Sequence, residues 1–241
     1  MQKGEGRDVL LLHGYMSCKE SFYFTAECLK KHYRVTAPDF PGFGASSPLI
    51  EAWSVGDYAV WLEKFIKSSG LSRPYILAHS FGARVAIKLA AAHPQLISGL
   101  IITGGAGIVK KRTRAYKARV RAYKIVKRFA PKFAEKHFGS SEYRSLSPLM
   151  RESYKKIVNE DLSAEAAKVS LPVQLIYGSD DTVTPACEEG LAFASLFKNS
   201  RLEIMEGGHF CFSQNHAIFN SKVIAFLTEG EREQKWEYSY P

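Results

Sequence analysis

The chain has 241 residues, of which 46% are hydrophobic and 24% are charged, proportions typical of a folded globular protein that argue against intrinsic disorder. No apolar run approaches the ~20 residues that a transmembrane helix needs, and the first residues lack the apolar core of a secretory signal, so we expect a cytoplasmic protein. The net charge of +9 is uneven: residues 107–160 contain 16 Lys and Arg against 4 Asp and Glu, and the remaining residues contain 17 against 20.

The predicted elements alternate between short, continuously apolar strands and longer helical patterns. Six strands are predicted, at residues 9–12, 33–37, 75–78, 100–102, 173–177 and 202–205. Five helices are predicted, at residues 19–31, 54–69, 81–92, 185–197 and 217–227. Because the strands are apolar at consecutive positions, both faces of the sheet must be covered. Repeated strand–helix units of this kind predict an α/β fold with a mostly parallel, doubly wound sheet and right-handed crossovers.

The step in charge divides the chain into four parts. Residues 1–106 and 170–228 are predicted to form the two halves of one mildly acidic core. Residues 107–169 form a strongly basic insertion between those halves. Residues 229–241 are polar and show no periodicity, so they are predicted to be a frayed tail.

The cysteines show no pattern that indicates a metal or a disulfide framework. There are four of them, at Cys18, Cys28, Cys187 and Cys211. They form no Cys-x-x-Cys pair, and no histidine spacing completes a zinc site. We therefore predict small buried thiols in a reducing compartment, with no metal and no cofactor.

A serine lies at the junction between the predicted strand 75–78 and the helix that follows it. The residues from Ala78 to Gly82 are Ala-His-Ser-Phe-Gly, a small-x-Ser-x-Gly pattern. A turn that lifts a serine hydroxyl above a sheet strains the backbone, and larger side chains two positions on either side would collide with it. Ser80 is therefore predicted to be a nucleophile, although the pattern usually begins with Gly rather than Ala.

Serine needs a base in order to act as a nucleophile, and in this architecture an acid and then a histidine follow it along the chain. Asp180 and Asp181 follow the predicted strand 173–177, and His209 follows the strand 202–205. We predict His209 as the base and Asp181 as the acid that orients it, with Asp180 as the alternative. The other histidines are predicted to have surface or packing roles; they are His13, His32, His79, His93, His137 and His216.

Acyl transfer also requires N–H donors directed at the developing oxyanion. The amide of Phe81 directly follows Ser80 at a predicted helix N-terminus, where the helix dipole favours negative charge. The loop after the first strand, with the sequence His-Gly-Tyr-Met, would supply the second donor. We predict that the amides of Tyr15 and Phe81 form the oxyanion hole.

Together these motifs resemble the α/β-hydrolase fold superfamily, in particular small bacterial members near carboxylesterases and meta-cleavage-product hydrolases. The resemblance spans about residues 8–228 and rests on five segments, at residues 12–15, 39–46, 79–82, 178–181 and 207–209. It implies a cofactor-free serine hydrolase in which Ser80 attacks, His209 transfers the proton and Asp181 orients the imidazole. It also argues against haloalkane dehalogenase and epoxide hydrolase chemistry, because those relatives carry aspartate in place of Ser80.

Members of this superfamily usually open with an antiparallel pair of strands, and no such pair is apparent in this sequence. The sheet is therefore expected to have about six strands, with the strand at 33–37 exposed at its edge. Exposed edges favour strand pairing between molecules. The protein is accordingly expected to be a monomer or a homodimer.

Members of this superfamily carry an inserted helical cap, and in this chain the basic insertion lies at the corresponding position. Residues 110–130 show a helical pattern with one apolar stripe and basic residues on the other faces. The basic face has three open interpretations: a solvated surface, contact with an anionic membrane, and steering of an anionic substrate. A nucleic-acid partner is not expected, because no recognition module accompanies the charge. The residues predicted to contact the substrate are Met16, His79, Phe138, Tyr143, Tyr154 and Phe210.

The predicted substrate is a small to medium carboxylic ester with an apolar acyl or aromatic part. Two alternatives stay open. One is C–C bond hydrolysis or a lyase reaction on the same triad, in which Arg84 would contact the substrate, although helix packing is the favoured role for this residue. The other is a ligand-binding receptor that has this fold but does not catalyse a reaction.

Overall fold

The computed structural model describes residues 1–109 and 141–239, together with positions 118, 121 and 128. Within these residues one sheet is formed by β1 (Gln2–Lys3), β2 (Arg7–Leu12), β3 (Tyr33–Thr36), β4 (Tyr75–His79), β5 (Gly99–Thr103), β6 (Val173–Gly178) and β7 (Ser200–Met205). The strand order across the described sheet is β1-β3-β2-β4-β5-β6-β7. β1 is antiparallel to β3, and the other neighbours are parallel. The predicted mostly parallel α/β fold is confirmed.

The helices lie between the strands and after the last of them. Those described are α1 (Tyr23–Leu29), α2 (Val55–Ser68), α3 (Phe81–Ala92), α4 (Ser141–Ser145), α5 (Pro148–Asn159), α6 (Ser163–Ala166), α7 (Leu191–Leu196), α8 (Cys211–Gln214) and α9 (His216–Ser239). None of the helices in this part of the chain is both long enough and apolar enough to cross a bilayer.

Both faces of the sheet are buried, as the continuous apolar strands require. Leu10 and Leu12 of β2 belong to the core that includes α2 and α3. Val9 and Leu11 point to the opposite face, where they belong to the core that includes α1 and α9. This alternation follows from the two-residue period of a strand. Helices therefore cover both faces of the sheet.

The first strand corrects two of the expectations. Residues of β1 pair with β3 through Gln2–Thr36 and Lys3–Val35, so the sheet has seven described strands instead of six, and β3 is not at its edge. The turn into β2 depends on Gly4, because a Cβ at that position would lie 2.4 Å from the carbonyl oxygen of Lys30. A strand this short pairs through its backbone alone, and its side chains carry no apolar pattern that would have revealed it.

The structure refines two predictions near the end of the chain. The closing helix was expected to end at Leu227 and to be followed by a frayed tail, but α9 continues to Ser239. No proline interrupts this stretch before Pro241, so backbone hydrogen bonding extends the helix beyond the point where apolar periodicity stops. The helix predicted at 185–197 is confirmed over 186–196, but its first turn, Ala186–Gly190, is π-helical, and α7 follows it directly.

The prediction of four buried cysteines was also wrong. Cys211 is buried, but Cys18 and Cys28 are partly exposed and Cys187 is exposed; none of them forms a disulfide. Cys187 lies on the outer side of the π-helical turn, whose residues Ala186, Glu189 and Gly190 are the buried ones.

The insertion is described at its beginning and over its second half. The helical pattern predicted at 110–130 and the predicted substrate residue Phe138 lie outside the described residues, except that positions 118, 121 and 128 are helical and exposed. Of the described part, α5 packs closely on the core. The Tyr15 hydroxyl donates to the Met150 carbonyl at 2.9 Å, and the Ser153 hydroxyl donates to the Trp53 carbonyl at 2.7 Å.

Candidate active site

Ser80 occupies the strained turn between β4 and α3. Its backbone has φ 50° and ψ −106°, a region that non-glycine residues adopt only when the surrounding structure enforces it. Gly82 permits the turn, because a Cβ at this position would lie 2.5 Å from the carbonyl oxygen of Leu12 and 2.8 Å from that of His13. The sequence pattern around the serine therefore has the steric origin that was predicted for it.

The carboxylate of Asp181 is held by its own loop and by the candidate base. The amides of Val183 and Thr184 donate to Oδ1 at 2.8 and 2.9 Å, and the Thr184 hydroxyl donates to Oδ2 at 2.8 Å. His209 Nδ1 lies 2.8 Å from Oδ2. Burial alone would raise the pKa of Asp181, but the hydrogen bonds from His209 and Thr184 outweigh it and hold the pKa below its usual value. The neighbouring Asp180 is exposed, so the structure brings Asp181 rather than Asp180 to the histidine.

His209 reaches the cleft from the loop after β7. Because its Nδ1 faces a carboxylate, this nitrogen carries the proton and Nε2 is left as the basic one. Gly104, at φ 51°, leaves room for the ring, since a Cβ there would lie 3.1 Å from His209 Nδ1. The side chain of His209 is only 12% exposed, and it lines the same cleft as Ser80.

His79 contacts the backbone of the candidate base. Its Nε2 donates to the carbonyl of His209 at 3.0 Å, and the two imidazole rings lie 4.6 Å apart. Burial, and then the neighbouring His209, lower the pKa of His79 to about 3. His79 is therefore uncharged at neutral pH and helps to position the loop that carries His209.

The two predicted oxyanion donors lie on the same cleft. Tyr15 and Phe81 both line it, and their rings pack edge to face with centroids 5.5 Å apart. Phe81 is the first residue of α3, and the N–H groups at a helix N-terminus have no partner within the helix. The amide of Phe81 therefore lies at a free helix N-terminus directly after Ser80.

A cleft of about 560 Å³ opens above Ser80 at the carboxyl ends of the strands. Of the residues predicted to contact the substrate, Met16, His79, Tyr143, Tyr154 and Phe210 line it. The lining residues that sequence reasoning missed include Leu146, Ile157, Val158, Val183, Thr184 and Glu189. A smaller cavity of about 190 Å³ lies at the opposite ends of the strands and includes none of the candidate catalytic residues.

Arg84 also lines the cleft, but its contacts are structural. Its Nη1 donates to the carbonyl oxygens of Ile157 and Glu160, both at 3.0 Å, at the C-terminal end of α5. One turn later on α3, Lys88 forms ion pairs with Glu160 and Glu165, both at 2.7 Å. These contacts agree with the packing role favoured for Arg84, because they fasten the insertion to the helix that begins at Ser80.

Among the described residues, no group of three or more His, Cys, Asp or Glu side chains is arranged to hold a metal ion.

A parallel sheet that carries a serine on this strained turn, with a histidine and a carboxylate on later loops, defines the α/β-hydrolase class of proteins. A family model described as the alpha/beta hydrolase fold matches residues 9–170. The chain belongs to that family.

Relatives and solved structures agree with this assignment. The chain is 27% identical over 240 residues to a Cronobacter sakazakii protein named as a carbamate hydrolase, RutD, and the match covers 90% of this chain and 86% of that one. It is 30% identical to an (E)-2-((N-methylformamido)methylene)succinate hydrolase of Acinetobacter baylyi, over 47% of this chain and 42% of that one. An esterase from Exiguobacterium antarcticum shares the fold, with a TM-score of 0.75, 20% identity and coverage of 95% and 94% of the two chains.

Proposed function

We propose that this protein is a serine hydrolase of carboxylic esters, with Ser80 as nucleophile, His209 as general base and Asp181 as the acid that orients it. The observation that carries the proposal is the 2.8 Å contact between His209 Nδ1 and Asp181 Oδ2, on a cleft that Ser80 also lines. That contact selects the tautomer whose Nε2 can accept a proton.

The reaction follows from these groups. Ser80 Oγ attacks the ester carbonyl while His209 Nε2 takes the hydroxyl proton, and the amides of Tyr15 and Phe81 stabilise the oxyanion. Collapse of the tetrahedral intermediate breaks the bond to the alcohol oxygen, and His209 returns its proton to that oxygen. A water molecule, deprotonated by His209, then attacks the carbonyl carbon of the acyl-enzyme. The bond from that carbon to Ser80 Oγ breaks, Oγ takes the proton back from His209, and the carboxylic acid is released.

The cleft supports a substrate with an apolar acyl or aromatic part. Its volume of about 560 Å³ is within the range of small-molecule sites. The aromatic side chains of Tyr15, Phe81, Tyr143 and Tyr154 line it, and such rings favour apolar groups. A small to medium ester fits this composition.

A carbamate is the second candidate substrate. The carbamate hydrolase of Cronobacter sakazakii matches 90% of this chain, and the carbonyl of a carbamate would be attacked through the same steps. A panel that pairs aryl esters with aryl carbamates of the same leaving group would rank the two by kcat/KM.

The test is covalent labelling with a fluorophosphonate, which forms a stable adduct with an activated serine. The wild type should be labelled and should hydrolyse a soluble aryl ester, and Ser80→Ala should abolish both. Ser17→Ala is the matched control, because Ser17 also lines the cleft but lies off the strained turn, and it should retain labelling. Full labelling of the Ser80→Ala protein would overturn the proposal.

A further inference from the structure

Arg84 has unused hydrogen-bond donors in the cleft. It lies one helical turn after Ser80 on α3, ~6 Å further along the helix axis, and it lines the same cleft. Its Nη1 donates to two acceptors, the carbonyl oxygens of Ile157 and Glu160. Nε and Nη2 donate to no acceptor in the part of the chain that the structure describes, and neither atom is fully buried. Three of the five N–H groups of the guanidinium are therefore left for a ligand.

The positive charge of Arg84 is incompletely balanced. The residue is only 8% exposed, and it forms no ion pair with a described residue, whereas Lys88 on the same helix forms two. Burial lowers the pKa of Arg84, and the attraction of Glu189 and Glu160 only partly offsets this effect. A buried charge without a direct partner is costly. An anion that reached the guanidinium would therefore be bound favourably.

The unused donors have the geometry that a carboxylate requires. Nε and Nη2 lie on one edge of the planar guanidinium, and two N–H groups on such an edge match the two oxygens of a carboxylate. We propose that Arg84 is a specificity-determining residue that binds a carboxylate of the substrate, so that the preferred ester carries a carboxylate besides the bond that is cleaved. The substrate class rests on the proposed ester hydrolysis, whereas the binding of a carboxylate does not.

The guanidinium is held in place before any ligand binds. Its Nη1 is bonded to two carbonyls at the C-terminal end of α5, so little conformational entropy is lost when the remaining donors bind. The apolar side chains of Ala106, Ile157 and Val158 line the same cleft, and a low local dielectric strengthens a hydrogen bond between charged groups. A substrate that lacks the carboxylate would leave the donors unpaired, which selects against it.

The test uses pairs of methyl esters that differ in one terminal group. One series consists of monomethyl esters of dicarboxylic acids of increasing chain length, and in the matched series a primary carboxamide replaces the free carboxylate. At the best chain length, kcat/KM of the wild type should be at least ten-fold higher for the carboxylate. A further pair, the acetate esters of a hydroxy acid and of its carboxamide, places the carboxylate on the alcohol side, and a preference there would assign Arg84 to that side.

Variants separate substrate binding from packing. Arg84→Met keeps the length of the side chain without its donors and should abolish the preference for the carboxylate. Lys88→Met is the matched control, because Lys88 fastens the same insertion through Glu160 and Glu165 but lies outside the described lining of the cleft; it should keep the preference. Arg84→Lys keeps the charge without the paired donors and should reduce the preference several-fold even if Arg84→Met does not fold. A merely structural role would lower kcat/KM for both esters of a pair and leave their ratio unchanged.

Binding is measured separately by calorimetry on Ser80→Ala, which lacks the nucleophile. The monomethyl ester should bind at least ten-fold more tightly than its carboxamide, and this difference should vanish when Arg84→Met is added. Turnover and affinity that are equal for the two members of every pair would overturn the carboxylate site and leave the proposed function intact. Tighter binding of the carboxylate without turnover of any ester by the wild type would instead overturn the proposed function and support the site.

Discussion

The two adjacent aspartates after β6 have different surroundings and should have different effects on turnover. Asp181 is 4% exposed and contacts His209, whereas Asp180 is exposed. Asp181→Asn should lower kcat for a soluble ester on the order of 10⁴-fold, because the amide favours the wrong tautomer of His209. Asp180→Asn is the control and should stay within a few-fold of wild type. The reverse ranking in steady-state kinetics would transfer the acid role to Asp180.

Thr184 is a positioning residue for the same carboxylate. Its hydroxyl donates to Asp181 Oδ2 and lies 3.2 Å from His209 Nδ1. Thr184→Val keeps the side-chain shape and removes this bond, and hydrogen bonds to charged groups contribute about 1.5–3 kcal/mol. We expect kcat to fall about ten- to a hundred-fold with little change in KM, and Thr184→Ser to restore most of it. A loss confined to KM would contradict the assignment.

The sequence indicated the candidate catalytic residues but not the residues that position them. Ser80, Asp181 and His209 could be chosen because steric rules and chain order constrain them. The structure places Ser80 and His209 on one cleft and Asp181 in contact with His209. Thr184 and the contact of His79 with the backbone of His209 depend on the path of individual loops. Neither an apolar periodicity nor a short sequence motif encodes such a path.

Two glycines at the beginnings of helices should respond in opposite ways to alanine. In α3, a Cβ at Gly82 would lie 2.5 Å from a backbone oxygen, whereas in α2 a Cβ at Gly56 would meet only the Ser54 hydroxyl, at 3.5 Å. Gly56→Ala should stabilise the protein by roughly 0.5–1 kcal/mol, because alanine loses less entropy on helix formation. Gly82→Ala should destabilise it and lower turnover. Urea unfolding monitored by circular dichroism distinguishes the two, and stabilisation by both substitutions would contradict the steric argument.

Among the elements, those that bury apolar surface could be predicted and the others could not. The six predicted apolar strands are confirmed. The two-residue strand β1 and the π-helical turn Ala186–Gly190 were missed, because backbone hydrogen bonds and local packing define them. The continuation of α9 to Ser239 was missed for a similar reason, because this part of the helix has no apolar periodicity.

The stability of the whole molecule should depend on pH through Asp39. Burial opposes ionisation of this carboxyl, but hydrogen bonds from Lys19 and from the amides of Ala45 and Lys19 lower its pKa to about 2. A folded pKa below the usual value means stability that is present above about pH 4 and is lost as the pH falls towards 2. Asp39→Asn should therefore cost about 2 kcal/mol at pH 7 and much less at pH 2.5. Equal losses in urea unfolding at the two pH values would contradict this.

The contacts of α5 bear on how the cleft responds to a ligand. The carbonyls of Met150 and Ile157 accept hydrogen bonds from the core of the protein, and the Ser153 hydroxyl donates one to it. The wall of the cleft that α5 forms is therefore fixed along its length before any substrate binds. The conformational entropy of this wall is lost during folding, so little more is lost when a ligand binds. The wall is preorganised, and recognition on this side should select ligands by shape rather than adapt to them. A covalent phosphonate complex should accordingly superpose on the free protein along α5 to within about 1 Å.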